Sequence, residues 1–328
     1  MIRLIVTSDW HFSLRAPEGR TSTYGTDVLV KLGEIAKIVE QTKAQAVLCA
    51  GDLFHRKGDV THHEVQLLTQ AIRAFGVPMI AVHGNHDATP GLYGYRAYGT
   101  MAEAGVFHDV SRDAEHPVWL SPRVLVGGHG YDVDVDRGER AHYVGERREG
   151  IVCVHLVHGY LVLGEPPAYM EEYTTTDVIP KTSDVVVCGH YHTWQGDKRV
   201  NDTLFVCPGA TSRVTRSEKD NPCRVGVLCI NEQTHEADIE KWVDLNVAPA
   251  EHAFIAADKQ LASPADAKKV ADGMYAGSSG TYAEIDEVVS DAVAKFEYGA
   301  EVEGDVKARI AAERARLEGG ADEYQAAS

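Results

Sequence analysis

Met1-Ile2-Arg3-Leu4-Ile5-Val6-Thr7-Ser8-Asp9-Trp10-His11 opens the chain with an apolar run that stops on a carboxylate and an imidazole. The run is far short of the roughly 18 residues a membrane span requires, and it reads as a strand rather than a signal peptide. The same event recurs four times. Apolar runs end in Gly51-Asp52-Leu53-Phe54-His55, in Gly84-Asn85-His86-Asp87, in Val154-His155-Leu156-Val157-His158-Gly159 and in Cys188-Gly189-His190-Tyr191-His192. A rigid sheet holds its loops at fixed separations, which a metal site demands. One Asp or His after a strand is ordinarily a cap or a satisfied core group, but five such blocks in order point to a single site.

Working outward, Thr26 to Gln41 and Thr61 to Phe75 carry apolar residues at helical spacing. They alternate with strands at Arg3 to Thr7, Ala46 to Ala50 and Pro78 to Val82, a β-α-β-α-β beginning. Past Gly105 strand-like runs dominate: Val118 to Leu120, Val124 to Gly127, Ile151 to Val157, Val185 to Cys188, Thr203 to Cys207, Val225 to Ile230 and Ala237 to Trp242. A mixed α/β two-sheet sandwich with flanking helices fits this pattern better than a doubly wound sheet. From Leu245 the composition shifts, so residues 1–248 are expected to form the core and 249–328 a small helical region. Ser263-Pro264-Ala265-Asp266 reads as a helix start, Thr281-Tyr282-Ala283-Glu284 as a capping box, and Asp305 to Leu317 as a last helix.

The ligand chemistry follows from residue type. Asp, His and Asn without thiolates suit a borderline-to-hard divalent ion, whereas structural zinc normally recruits cysteine. Seven or eight such groups exceed the needs of one ion. Two ions sharing a carboxylate use them all and make a hydroxide available to attack phosphorus.

In order and type, these blocks resemble the pattern of the calcineurin-like metallophosphoesterase superfamily: D-x-H, G-D, G-N-H-D/E, a later H, and G-H-x-H. The resemblance implies a four-layer α/β/β/α sandwich. It implies that Asp9, His11, Asp52 and His192 hold one ion, and that Asp52, Asn85, His190 and a fourth-block histidine hold the other. It places His86 beside the scissile phosphate, with Asp87 orienting its imidazole. His155 and His158 are three apart on one strand and so face opposite ways. His158 is favoured, since it closes the run and precedes Gly159 as the family's ligand does. The metals expected are two divalent ions, Mn first, with Fe, Zn or Mg as alternatives.

Within the superfamily, Gly51-Asp52-Leu53-Phe54-His55, Val82-His83-Gly84-Asn85-His86-Asp87 and Cys207-Pro208-Gly209-Ala210-Thr211-Ser212-Arg213 resemble SbcD-type DNA nucleases, relatives of the meiotic-recombination double-strand-break nuclease. That likeness implies DNA as substrate, with His55 helping to place its phosphate. It also implies an SbcC-type coiled-coil ATPase as partner and a homodimer formed near Thr61 to Phe75. Arg213 and Arg216 read either as charge directed at a phosphate backbone or as solvated turn residues. The rivals are a small-substrate phosphodiesterase or phosphatase of the same superfamily, and a non-catalytic scaffold on this fold.

The 328 residues carry a net charge of −17, which disfavours a broad basic surface but not a local cleft. With 44% hydrophobic and 25% charged residues the composition is that of a globular protein, which excludes disorder as the main reading. The six cysteines form no C-x-x-C pair and sit mostly in strand-like runs, as reduced thiols in a cytoplasmic protein do. His62-His63-Glu64 lacks zinc-protease spacing and reads as a solvated helix face.

Overall fold

Strand β1 (Ile2–Thr7), helix α1 (Tyr24–Thr42), β2 (Ala46–Cys49), α2 (His62–Arg73) and β3 (Met79–Ala81) follow one another as the spacing indicates, in a computed structural model describing residues 1–87, 96–111, 117–132, 143, 145, 147–168 and 170–255. Next come α3 (Ala97–Glu103), β4 (His108–Asp109), β5 (Val118–Ser121), β6 (Val124–His129) and β7 (Val152–Gly159). The short β8 (Leu161–Val162) and β9 (Thr174–Thr175) pair with each other. After them lie β10 (Val185–His190), β11 (Gly196–Val200), β12 (Thr203–Cys207), β13 (Arg224–Asn231), β14 (Glu236–Asp244) and α4 (Ala250–Ala253). The chain divides into two units, Met1–Ala256 and Ala257–Ser328, the first running past residue 248 because Phe254 is buried against Arg20. The helices expected near Ser263, Thr281 and Asp305 lie outside the described residues.

Two six-stranded sheets form a sandwich, in the orders β14-β13-β1-β2-β3-β4 and β11-β12-β10-β7-β6-β5. β1 to β4 are mutually parallel, as are β6, β7, β10 and β12. Parallel strands buried on both faces read as continuous apolar runs, and here residue parity sorts them. Leu4, Val6, Leu48, Ile80, Val154, Leu156 and Val187 fill the space between the sheets. Val47, Cys49, Met79 and Ala81 point the other way, under Val28, Leu32 and Ile35 of α1 and Leu68 and Ile72 of α2. Each such side chain contributes roughly 1.5–3 kcal/mol on burial. On the outer face of the second sheet Val157, Val186, Cys188 and Phe205 are covered by Leu161, Leu163 and Ile179, which come from loops and β8. The fold is the mixed α/β two-sheet sandwich expected. No helix among the described residues is long and apolar enough to cross a membrane, and the six cysteines form no disulfide, five of them being buried.

Candidate metal centre

Parallel strands put their carboxyl ends at one edge of a sheet, and side chains that bind ligands gather there. Beyond β1, the backbone of residues 9–12 runs beside the loop after β2: Asp9 N donates to Gly51 O at 3.0 Å, His11 N to Asp52 O at 2.9 Å and Phe12 N to Leu53 O at 2.9 Å. This ladder fixes Asp9 and His11 against Asp52. Register in the second sheet sets His158 beside Gly189 and Gly159 beside His190. His158 shares the parity of Val154 and Leu156, so it turns towards the first sheet, and its Nδ1–H donates to Ala50 O at 2.7 Å. His155, of opposite parity, is buried away from the cluster on the other face.

The sheets meet so closely here that two positions need glycine. A Cβ on Gly51, whose φ is +101°, would overlap the His158 ring, and one on Gly189 would overlap Ser8 Oγ. Asp9, His11, Asp52 and His190 have φ of 50°, 48°, 54° and 97°, a left-handed backbone that non-glycine residues rarely adopt. Strain of this kind persists only where the surroundings enforce it, and it clusters at functional sites.

Asp52 sits at the centre. Its Oδ2 lies 3.4 Å from His11 Nε2 and 3.6 Å from His158 Nε2, while Oδ1 accepts His86 N–H at 2.8 Å. On one side His11 Nε2 lies 2.9 Å from His192 Nε2, and both lie 3.9 Å from Asp9 Oδ1. On the other, His158 Nε2 lies 3.3 Å from Asn85 Oδ1 and 3.1 Å from His190 Nδ1. Two groups of suitable donor atoms result, Asp9-His11-His192 and Asp52-His158-His190, and a third is formed by His11, His55 and His86. Of the sequence-derived residues, Asp9, His11, Asp52, Asn85, His158, His190 and His192 therefore converge.

These residues fit a pair of cations. Asp52 Oδ2 is buried with no hydrogen-bond partner. With its Nδ1–H given to Ala50, neutral His158 presents only a lone pair at Nε2, which lies among Asn85 Oδ1, Asp52 Oδ2 and His190 Nδ1. Burial, reinforced by neighbouring imidazoles, pushes His11 well below the usual histidine range, and burial together with His190 lowers His158 to about 3. Both rings are thus neutral and available as ligands at neutral pH. Burial, then repulsion from Asp87 and Asp9, raises Asp52 well above the usual carboxylate range. A cation relieves that repulsion.

Around the cluster three expectations change. The carboxylate of Asp87 does not reach the His86 ring; it accepts backbone N–H groups of Leu53, Phe54 and Gly84 at 3.1, 3.0 and 3.0 Å and so holds two of the loops together. The His86 ring is fixed instead by its Nδ1–H to the carbonyl of His55, and the His55 ring stacks on it at 5.5 Å with a 21° interplanar angle. Arg213 is buried and spends its guanidinium on the carbonyls of Lys219 and Ala248, and Arg216 donates to Ile255 O at 2.6 Å, so both staple the chain rather than project at a phosphate. Glu64, read as part of a solvated face, is buried as a helix cap. A functional contact without a role in the sequence reading is Glu218, whose Oε1 accepts His192 Nδ1–H at 2.9 Å and orients that ring.

A model of the calcineurin-like phosphoesterase superfamily domain matches residues 2–232. The chain belongs to that superfamily. Members of that superfamily are metal-dependent phosphoester hydrolases that bind two divalent ions, for which the His/Asp groups above are candidate sites. Among curated proteins it is 23% identical over 256 residues to the double-strand break repair protein MRE11 of Encephalitozoon cuniculi, covering 66% of this chain and 43% of that protein. This phosphoesterase thus spans less than half the length of that relative. Solved structures similar to it include TT1561 of Thermus thermophilus, at 13% identity and a TM-score of 0.45, covering 75% of this chain and 99% of that one. A dimetal phosphatase from Danio rerio matches at 10% identity and a TM-score of 0.44, covering 64% and 87%.

Proposed function

We propose that this phosphoesterase cleaves phosphodiester bonds of DNA, as the nuclease subunit of an SbcCD-like assembly. The observation that carries the diester reading is the cavity over the cluster, about 420 Å³, lined by Asp52, Asn85, His86, His190, His192, Glu218 and neutral residues. Among the described residues no lysine or arginine lines it. A monoester dianion would call for extra cationic partners, whereas a diester monoanion is neutralised by two metal ions alone. The choice of DNA is supported by the Gly51-to-His55 and Val82-to-Asp87 blocks and by the similarity to the MRE11 protein.

On this reading Asp9, His11, Asp52 and His192 hold one ion and Asp52, Asn85, His158 and His190 the other. The ions, Mn by preference, supply charge to the phosphate and lower the pKa of a water. The chain does the positioning. His190 N–H binds Asp9 Oδ2 at 3.0 Å and Glu218 fixes His192, so the donors are aimed before substrate arrives. His86 has its Nδ1–H committed to the His55 carbonyl, so it would assist the leaving oxygen as the imidazolium, giving up the proton on Nε2. DNA is the substrate. An SbcC-type ATPase docked through residues 249–328, and a dimer near α2, complete the proposed assembly.

The test is degradation of end-labelled DNA with Mn²⁺ by the unmutated protein, beside bis-p-nitrophenyl phosphate and the His86→Ala variant. Metal-dependent cleavage of DNA only by the unmutated protein supports the reading. Cleavage of the small ester while DNA survives, even with the ATPase supplied, replaces it with a small-substrate phosphodiesterase.

A further inference from the structure

The cavity over the cluster has two unlike sides. Its floor is the Asp, Asn and His set, while one wall is built from Tyr160, Met170 and Tyr191. Tyr160 directly follows the β7 segment that carries His158, and its ring packs 4.1 Å from the His190 ring. Tyr191 stands between His190 and His192, with its ring 6.3 Å from that of Tyr160 at an interplanar angle of 60°. Both tyrosines are half-buried, and both line the cavity. On the far side Ser217 and Asn221 add neutral hydrogen-bonding groups.

A floor suited to metal-bound phosphate beside an uncharged aromatic wall matches the two halves of a nucleotide. With no lysine or arginine lining the cavity among the described residues, affinity for what flanks the phosphate has to come from that wall. Aromatic side chains stack any base, because every base presents a π-face. Tyr191 lies between two candidate ligands in the sequence and lines the same cavity as they do, which places its side chain beside the phosphate position.

We infer that Tyr191, backed by Tyr160, stacks the nucleobase beside the scissile phosphate and so makes the site selective for nucleoside esters. The inference rests on the phosphodiester reading above. Tyr160 also braces the His190 ring, so Tyr191 is the position to test.

The experiment uses the full chain with Mn²⁺ and compares kcat/KM for thymidine 5′-(4-nitrophenyl phosphate) and methyl 4-nitrophenyl phosphate, which share a leaving group and differ in the nucleoside, the Tyr191 variants isolating the part due to stacking. The unmutated protein should prefer the nucleoside ester. Tyr191→Ala should lower that preference about tenfold, through KM rather than kcat. Tyr191→Phe should retain it and Tyr191→Leu should not. No preference in the unmutated protein, an unchanged preference in Tyr191→Ala, or an equal loss on both esters overturns the inference and leaves the diester reading intact. If the unmutated protein cleaves neither ester, the diester reading is decided by the DNA assay above and not by these esters. Titration of thymidine 5′-monophosphate with Mn²⁺ then decides the stacking role: binding about tenfold weaker in Tyr191→Ala supports it, and equal binding overturns it.

Discussion

His86 and Glu218 separate two kinds of contribution at the site. The His86 ring is placed by the His55 carbonyl and belongs to neither the Asp9-His11-His192 nor the Asp52-His158-His190 group. His86→Ala should therefore keep the metal content, measured by elemental analysis, and lose turnover by roughly 10²–10⁴-fold, the usual weight of a proton-transfer or charge-stabilising group. Loss of metal in that variant would instead make His86 a ligand. Glu218 acts through another residue: burial lowers the His192 pKa, but the Glu218 hydrogen bond together with the charges of Asp9 and Glu218 overcomes it and raises that imidazole's pKa, which strengthens it as a ligand. Glu218→Ala should weaken one of the two ions about 10–100-fold. A Mn²⁺ titration would show one tight site surviving, and two unaltered sites would reduce Glu218 to a cap on the turn at Arg216–Glu218.

Helix α2 shows how an element far from the metals holds the site in shape. Thr61 Oγ1 accepts Glu64 N–H at 3.1 Å and Glu64 Oε2 accepts Thr61 N–H at 2.8 Å, a reciprocal cap. The same carboxylate reaches the loop after β1, where Oε1 accepts Leu14 N–H at 2.8 Å and Ser13 Oγ–H at 3.1 Å. Glu64→Ala strands the buried Ser13 hydroxyl and removes the partner of the part-buried Leu14 and Thr61 N–H groups, and should cost about 1–3 kcal/mol in denaturant unfolding. Burial raises the Glu64 pKa, but its four hydrogen bonds win and set it below the ordinary 4.5. A depressed carboxylate stabilises fully above its unfolded pKa and loses that contribution as pH falls through the folded value. The stability gap between the unmutated protein and Glu64→Gln should close as pH drops below 4.5; a gap constant down to pH 3 would deny the carboxylate this role. The cap was readable as Thr61-x-x-Glu64, but its link to Ser13 and Leu14 was not, because nothing local connects them. The same limit hid Arg213 and Arg216, whose acceptors are carbonyls 35 and 39 residues away. The strands and their ligands were legible because each ends an apolar run on a residue of distinctive chemistry, and parity alone separates His158 from His155. Elements as short as β8, β9 and β4 show too few residues to display a period.

At the scale of the whole molecule, the first sheet supplies Asp9, His11, Asp52 and Asn85, and the second supplies His158, His190 and His192. Metal ions held at that seam would cross-link the two layers, and the buried carboxylates alone work against folding. Asp52 is buried beside Asp9 and Asp87, and its raised pKa means that the folded state resists its ionisation. The sign follows: a carboxylate whose folded pKa exceeds its unfolded value costs stability once pH rises above 3.8, increasingly so until the folded group itself ionises. The lowered pKa values of His11 and His158 act in the opposite sense, so the difference between variants is what reads Asp52: in metal-free protein the melting-temperature advantage of Asp52→Asn over the unmutated chain should widen as pH rises from 4 towards 7. Added Mn²⁺ should reverse the order. Each site filled at a hundredfold excess over its Kd contributes about 2.7 kcal/mol, or roughly 5–10 °C for a unit of this size. Asn at position 52 lacks the shared charge and should gain little of that. A substitution that stabilises the empty protein and abolishes stabilisation by metal marks a residue kept for the ions rather than for the fold. If Asp52→Asn were instead the less stable protein without metal, the carboxylate would be serving the sandwich itself and the two-ion reading of the seam would fail.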